Sequence, residues 1–277
     1  MDTNKNSYTI IYSIVMVVVV AAVLAFVSLS LKDKQNENIS NEKKQYLLAS
    51  VGLGADANFD SVIKSAVVVD GNGKIINTAD SDVAKSEAFA ISTSEQNTKI
   101  KAMATLAPEA QEAAKAELRL PVFIADLPDG SQAYIFSAYG AGLWGPIWGW
   151  VSLKTDFSTI VGVKFDHQGE TPGLGAEIAT PKFSNQFIGK EIFANGEFTS
   201  VAIVKGGVKE GSTNQVDAIS GGTITSKALE ASILNWFEAY LPYIKSLQAL
   251  AATPMPLENE ATEVAETAEN GENGENK

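Results

Sequence analysis

The chain contains no cysteine and a single histidine, His167. Without cysteine it contributes no disulfide, iron–sulfur cluster or thiolate metal site. With one histidine a His-rich metal centre is excluded, and a Ser-His-Asp triad could run only through His167. Neither a catalytic residue nor a metal ligand is expected from this chain. Charge is missing locally as well: no Asp, Glu, Lys or Arg lies between Lys5 and Lys32. Overall the balance is acidic, at −12. The clustered Lys and Arg that a phosphate backbone requires are therefore lacking, and no nucleic-acid partner is expected.

The acidity is uneven. Residues 257–277 carry seven glutamates against Lys277, half of the net charge of −12. Such a stretch buries too little apolar surface to offset the entropy of ordering, so 251–277 is expected to be a disordered acidic tail. The charge-free segment holds the apolar run IIYSIVMVVVVAAVLAFVSLSL, residues 10–31. At about 1.5 Å per residue it reaches roughly 33 Å, enough for a bilayer core. A cleaved signal peptide needs a shorter apolar region and a small-residue cleavage site, so a retained single-pass helix is expected. Residues 1–9 precede it and 32–54 follow as a juxtamembrane helix or linker. Lys32, Lys34, Lys43 and Lys44 follow the span and only Lys5 precedes it. Local charge alone would keep the following domain cytoplasmic, but long domains cross membranes largely regardless of charge.

Residues 55–250 read as one α+β domain with a mainly antiparallel twisted sheet and flanking helices. SAVVVDGNGKIINT is a hairpin pattern around DGNG, and PVFIADLPDGSQAYIFSAYG gives two strands around Pro128-Asp129-Gly130. IWGWVSLKTDFSTIVGVKFD supplies another pair. Pro108 stands at a helix start, and TPKFSNQFIGKEIF predicts a short amphipathic helix. Leu229, Ile233, Phe237, Tyr240 and Ile244 recur at spacings of three and four, so the last helix buries one face, with Pro242 placed to kink or end it.

Four segments carry candidate chemistry. GAGLWG (Gly140, Gly142, Gly145) matches G-x-G-x-x-G, but a strand pattern follows where a dinucleotide fold needs a helix. It reads either as glycine-lined backbone close to a flat ligand, with Leu143 and Trp144 able to cover a ring, or as core aromatics alone. ETPGLGAE reads either as a surface turn or as a ring contact. In the second reading Thr171 offers a hydroxyl, Leu174 an apolar face, and the loop's N–H groups are open to a ligand, with Glu170 at its edge. His167, just upstream, reads as structural. VKGGVKEG places Lys205 beside paired glycines, a phosphate cradle or simply a loop. DAISGGTITS, residues 217–226, packs an acid, four hydroxyls and paired glycines before the last helix. A helix cap would use one hydroxyl. The same helix start would stabilise a phosphate esterified to Thr223.

In this order, the elements NSYTIIYSIVMV, GLWGPIWGW, GETPGLGAEI and VDAISGGTITS resemble the C subunit of the sodium-translocating NADH:quinone oxidoreductase. The resemblance covers all but the acidic tail. It implies an FMN-binding domain with FMN held by a phosphoester to Thr223. Ser220, Gly221, Gly222, Gly142, Leu143, Trp144, Glu170, Thr171, Leu174 and Lys205 would surround the cofactor. It also implies a separate FMN transferase that uses FAD and a divalent metal, reading Asp217, Ser220 and Thr223. The family's Ala is Gly222 here. Implied partners are the A, B, D, E and F subunits of that complex and the membrane, with the flavin domain on the periplasmic side of a bacterial inner membrane. Electrons would then pass through this chain during sodium-coupled NADH oxidation. Two alternatives stand beside this: the G subunit of the related ferredoxin-linked complex, and a non-redox anchored scaffold in which SGGT is only a cap.

Overall fold

The architecture follows from where the apolar residues must go. In a computed structural model, the structure describes residues 6–252. Of the tail expected over 251–277, residues 253–277 lie outside the described residues, and Ala251 and Ala252 are corrected to the end of the last helix, because that helix runs on to Ala252. Helix α1 (Asn6–Ser50) runs unbroken for 45 residues, so span and juxtamembrane segment form a single rod. Its first part is apolar all round and none of it is buried in the protein; among the described residues it is the one helix long and apolar enough to cross a membrane. Its last turns differ. Leu47, Leu48 and Ser50 are buried, and Tyr46 bonds the Asp166 carboxylate, so the rod is locked to the domain it carries.

Short α2 (Phe59–Val62), capped by Asn58, feeds β1 (Ile63–Val69), which turns back into β2 (Ile75–Ala79). The DGNG turn holds because Asp70 Oδ1 accepts from the N–H groups of Asn72 and Lys74, both at 2.9 Å. Helices α3 (Glu87–Ala90) and α4 (Thr93–Met103) start at the serine caps Ser86 and Ser92. Helix α5 (Pro108–Ala116) starts at its proline. Strands β3 (Leu120–Asp126), β4 (Gln132–Ala141), β5 (Pro146–Lys154) and β6 (Ile160–His167) complete a six-stranded antiparallel sheet in the order β2-β1-β3-β4-β5-β6. The expected α+β fold is thus the one observed.

Beyond the sheet lie α6 (Pro181–Ser184), a β7 (Phe193–Ala194) and β8 (Glu197–Phe198) pair, the parallel pair β9 (Ala202–Val204) and β10 (Gln215–Asp217), and α7 (Thr223–Ala252). The amphipathic helix expected over TPKFSNQFIGKEIF is instead two separate turns, α6 and a 3-10 turn at Asn185–Phe187. Phe183 and Phe187 still meet Phe165, so the spacing of four is realised without a continuous helix. Helix α7 continues through Pro242 rather than stopping there, because Tyr243 and Ile244 beyond it are buried. Their packing outweighs the proline's cost of about 3 kcal/mol.

Period-two alternation gives the sheet two buried faces. Val122, Phe136 and Val151 meet Trp236, Phe237 and Tyr240 of α7. Phe123, Ile135 and Trp150 meet Leu47 and Leu48 of α1. On that second face Lys43 lies over the rings of Phe89, Phe123 and Trp150 (4.8, 5.8 and 5.4 Å to the centroids), and its Nζ donates to the Phe89 carbonyl at 2.6 Å. Burial lowers its pKa from 10.5 to about 8. The unfolded chain therefore holds more protons than the folded one between those values, and stability rises with pH there. Against a Lys43→Met variant, the native protein is expected to gain stability as pH climbs from 8 to 10.5. Parallel melting curves for the two proteins across that window would count against a buried ammonium.

Candidate functional site

The parallel β9–β10 pair delivers the threonine loop. Val204 registers with Asp217, and the Ala218 N–H donates to the Val204 carbonyl at 2.8 Å. The chain then turns through 218–222, with the Gly222 N–H on the Ile219 carbonyl at 3.0 Å. Gly221 takes φ +76°, and a Cβ there would lie 2.6 Å from Leu174 Cδ2, so the position needs glycine on both counts. Ser226 folds its hydroxyl back to accept the Ile219 N–H at 3.1 Å. That holds the loop against the first turn of α7.

This arrangement sorts the hydroxyls. Thr225 is 1% exposed and donates to Glu170 Oε2 at 2.5 Å. Ser226 is buried in the loop closure, while Ser220 is exposed and Thr223 is half-buried at the helix start. Among the described residues no acceptor takes the N–H groups of Thr223, Ile224 or Thr225. Those three donors and the helix dipole make a place for an anion at Thr223. Asp217 does not face this helix start: its carboxylate accepts the Val208 N–H at 2.9 Å, and its own N–H donates to Gln186 Oε1 at 2.9 Å. Lys205 is exposed, one residue beyond the Val204–Asp217 register and followed by Gly206 and Gly207 in the left-handed region.

Two further loops meet this one. The β4–β5 turn is closed by the Gly142 N–H on the Gly145 carbonyl at 2.8 Å, and leaves Leu143 47% and Trp144 69% exposed. As the sequence suggested, a strand and not a helix follows these glycines. The ETPGLGAE loop sets Leu174, 42% exposed, against Gly221, with Thr171 exposed beside it. The expectation of open N–H groups in this loop is corrected at four positions. The N–H groups of Gly173, Leu174, Ala176 and Glu177 are taken within the loop, where its Pro/Gly turns close on themselves, and among the described residues those of Thr171 and Gly175 have no acceptor.

Glu170 is the residue whose place the sequence did not reveal. It is 4% exposed, not a rim acid. Its carboxylate accepts the N–H of Trp144 at 2.8 Å, the N–H of Leu143 and the hydroxyl of Thr225, while its own N–H donates to His167 Nδ1 at 3.2 Å. Burial pushes this carboxyl up, but the Thr225 hydroxyl and the two backbone donors, aided by His167, outweigh it and hold the carboxyl below its usual value. His167 thus makes the loop contact that accepts the Glu170 N–H. An acid at the edge of a Pro/Gly loop carries no sequence signal for this placement.

Leu143, Trp144, Leu174 and Thr171 thus lie on loops joined, through Glu170 and the Leu174–Gly221 contact, to the start of α7. Apolar side chains to face a planar ring, a reachable hydroxyl and unclaimed N–H donors for a phosphate suit a flavin mononucleotide. The sequence pattern of the FMN-binding domain matches residues 142–238, the span from this turn to α7. Fold and site define a flavin-binding module on an apolar N-terminal helix.

The C subunit of the Na(+)-translocating NADH-quinone reductase from Neisseria meningitidis serogroup A is 30% identical over 259 residues, 91% of this chain and 98% of that one. Its counterpart from Pseudomonas aeruginosa is 30% identical over 268 residues, 90% and 99% of the two chains. A crystal structure of the Parabacteroides distasonis counterpart superposes with a TM-score of 0.64 at 39% identity, covering 77% of this chain and 96% of that one. The chain belongs to the NqrC family, the C subunits of the Na(+)-translocating NADH-quinone reductase.

Proposed function

We propose that this chain is an electron-carrying subunit of a sodium-translocating NADH:quinone reductase, with FMN bound through a phosphoester to Thr223. The observation that carries the reading is the sorting of hydroxyls. Thr225 is buried and spent on Glu170, whereas Thr223 is accessible at a helix start with three unclaimed N–H groups. A phosphate esterified there meets those donors and the positive end of α7. When bound, FMN supplies one-electron chemistry; the protein's part is to hold and tune it. Leu143, Trp144 and Leu174 offer the apolar cover, and Thr171 offers a hydroxyl to the ring's polar edge. Gly221 and Gly222 let the backbone pass close by. Lys205, exposed just past the strand that registers with Asp217, offers a positive charge for the phosphate.

Ester formation breaks the pyrophosphate bond of FAD: Thr223 Oγ1 loses its proton and gains the FMN phosphorus, and AMP leaves. The reading assigns that step to a transferase that takes FMN from FAD and recognises Asp217, Ser220 and Thr223. Asp217 and Ser220 are exposed and within reach of such an enzyme. The reading places α1 in a bacterial inner membrane beside the other subunits, with the flavin domain on the periplasmic side. The N-terminal apolar helix and the family support it. Denaturing gels of native membranes are expected to show an ultraviolet-fluorescent band at this chain's mass, and peptide mapping should place the FMN mass on Thr223. A dark band with unmodified Thr223 would leave an anchored scaffold.

A further inference from the structure

We propose that Glu170 is a positioning residue for the flavin, fixing the Leu143–Trp144 turn relative to the Thr223 helix start and placing a fixed negative charge behind the ring site. This rests on the Thr223 reading above. It departs from placing Glu170 among the residues that touch the cofactor, because the side chain is 4% exposed and its two oxygens are taken by the Trp144 N–H and the Thr225 hydroxyl.

The geometry makes Glu170 the point where three loops join. Oε1 holds the Trp144 N–H at 2.8 Å, Oε2 holds the Thr225 hydroxyl at 2.5 Å, and the Leu143 N–H adds a third donor. Two glycines leave room for it. A Cβ on Gly142 would lie 2.5 Å from Oε1, and one on Gly175 would collide with Oε2 and lie 2.5 Å from Thr225 Oγ1. The β4–β5 turn and the ETPGLGAE loop therefore both pass close to this one carboxylate, and the first turn of α7 meets it through Thr225. Trp144 is 69% exposed, and its N–H on Glu170 fixes the backbone that carries the ring. The same anchor reaches α7 two residues past Thr223. Moving Glu170 would shift the wall and the attachment point relative to each other. Its charge matters separately. A buried anion beside a flavin disfavours the electron-rich reduced form, because little water screens it.

The test uses the full chain, co-expressed with its transferase and purified in detergent, as native, Glu170→Gln, Glu170→Ala, Thr225→Ser and Thr225→Val proteins. Glutamine keeps the shape and removes the charge. Its adduct is expected to have a higher midpoint potential, with flavin fluorescence still quenched as in the native protein. Alanine removes the anchor, so flavin fluorescence should rise and the Leu143 and Trp144 amides should exchange hydrogen at least tenfold faster. Thr225→Val should raise flavin fluorescence partway, and Thr225→Ser should restore it. Should Glu170→Ala fail to fold, the Gln variant and the Thr225 pair decide the matter. A native potential in Glu170→Gln, together with native quenching in Thr225→Val, would reduce Glu170 to a purely structural contact and overturn the proposal. If the native chain itself carries no flavin on Thr223, the Thr223 reading fails. Exchange of the Leu143 and Trp144 amides, measured without flavin, then decides the positioning claim, and native rates in Glu170→Ala would end it.

Discussion

Thr223→Val is expected to leave a folded chain with no covalent flavin, while Thr225→Val keeps the flavin on Thr223 but loses stability. The two threonines stand two residues apart, and their surroundings make the outcomes opposite. Thr223 is half-buried at the helix start, and replacing its hydroxyl by a methyl is expected to change stability by no more than about 0.5 kcal/mol. Thr225 is 1% exposed and donates to a carboxylate that is itself 4% exposed. Its loss removes a hydrogen bond to a charged group, worth about 1.5–3 kcal/mol. Acid adds a check. The Glu170 carboxyl is held below its ordinary value of 4.5. Its contribution is therefore fully present above that pH and is lost as pH falls through the folded value. The stability gap between native and Thr225→Val proteins should narrow in acid. Intact mass and thermal melts on both variants, made with the transferase present, give the answer. An FMN adduct persisting on Thr223→Val would sink the attachment site.

What the sequence made legible was whatever depends on neighbours along the chain. The DGNG and PDG turns fix their hairpins through local backbone demands, and both hairpins are present. The face of α7 was readable because its spacing is a property of one helix, and Leu229, Ile233, Phe237, Tyr240 and Ile244 are all buried. The apolar helix at the start was visible for the same reason. Glu170 was not readable, because its partners Trp144 and Thr225 lie 26 residues before it and 55 after it, and no local pattern marks an acid for burial. The N–H groups expected to be open in ETPGLGAE were misread at four positions, Gly173, Leu174, Ala176 and Glu177, where the loop closes on its own carbonyls and on the Glu177 side chain. The parallel pair β9 and β10 has three residues per strand, too short for any period to register, yet it aims the SGGT loop. Pro242 shows the converse: a strong local signal yields when Tyr243 and Ile244 have a core to fill.

Truncation of Trp236 is expected to be the most damaging single change in the domain, and to reach the flavin through stability and not through contact. Trp236 is 0% exposed, and its Nε1 donates to the Tyr139 carbonyl at 2.9 Å and to Asn97 Oδ1 at 3.2 Å. It therefore ties α7 to β4 three residues before Gly142, and to α4 as well. Trp→Ala in a core costs about 3–5 kcal/mol from lost transfer and the cavity left behind. Asn97, buried and stripped of its donor, adds to that. Against a total stability of about 5–15 kcal/mol, this is a large share, and for a domain of this size it lowers Tm by roughly 10 °C. Because Thr223 opens the same helix, the unfolded fraction should set how much chain the transferase can modify. Flavin incorporation should fall in Trp236→Ala and recover on cooling, while Trp236→Phe, which refills most of the volume, should sit between. A Trp236→Ala protein melting within about 2 °C of the native one would mean that α7 is not held by this face. The fixed placement of Thr223 against the Trp144 turn would then lose its structural basis.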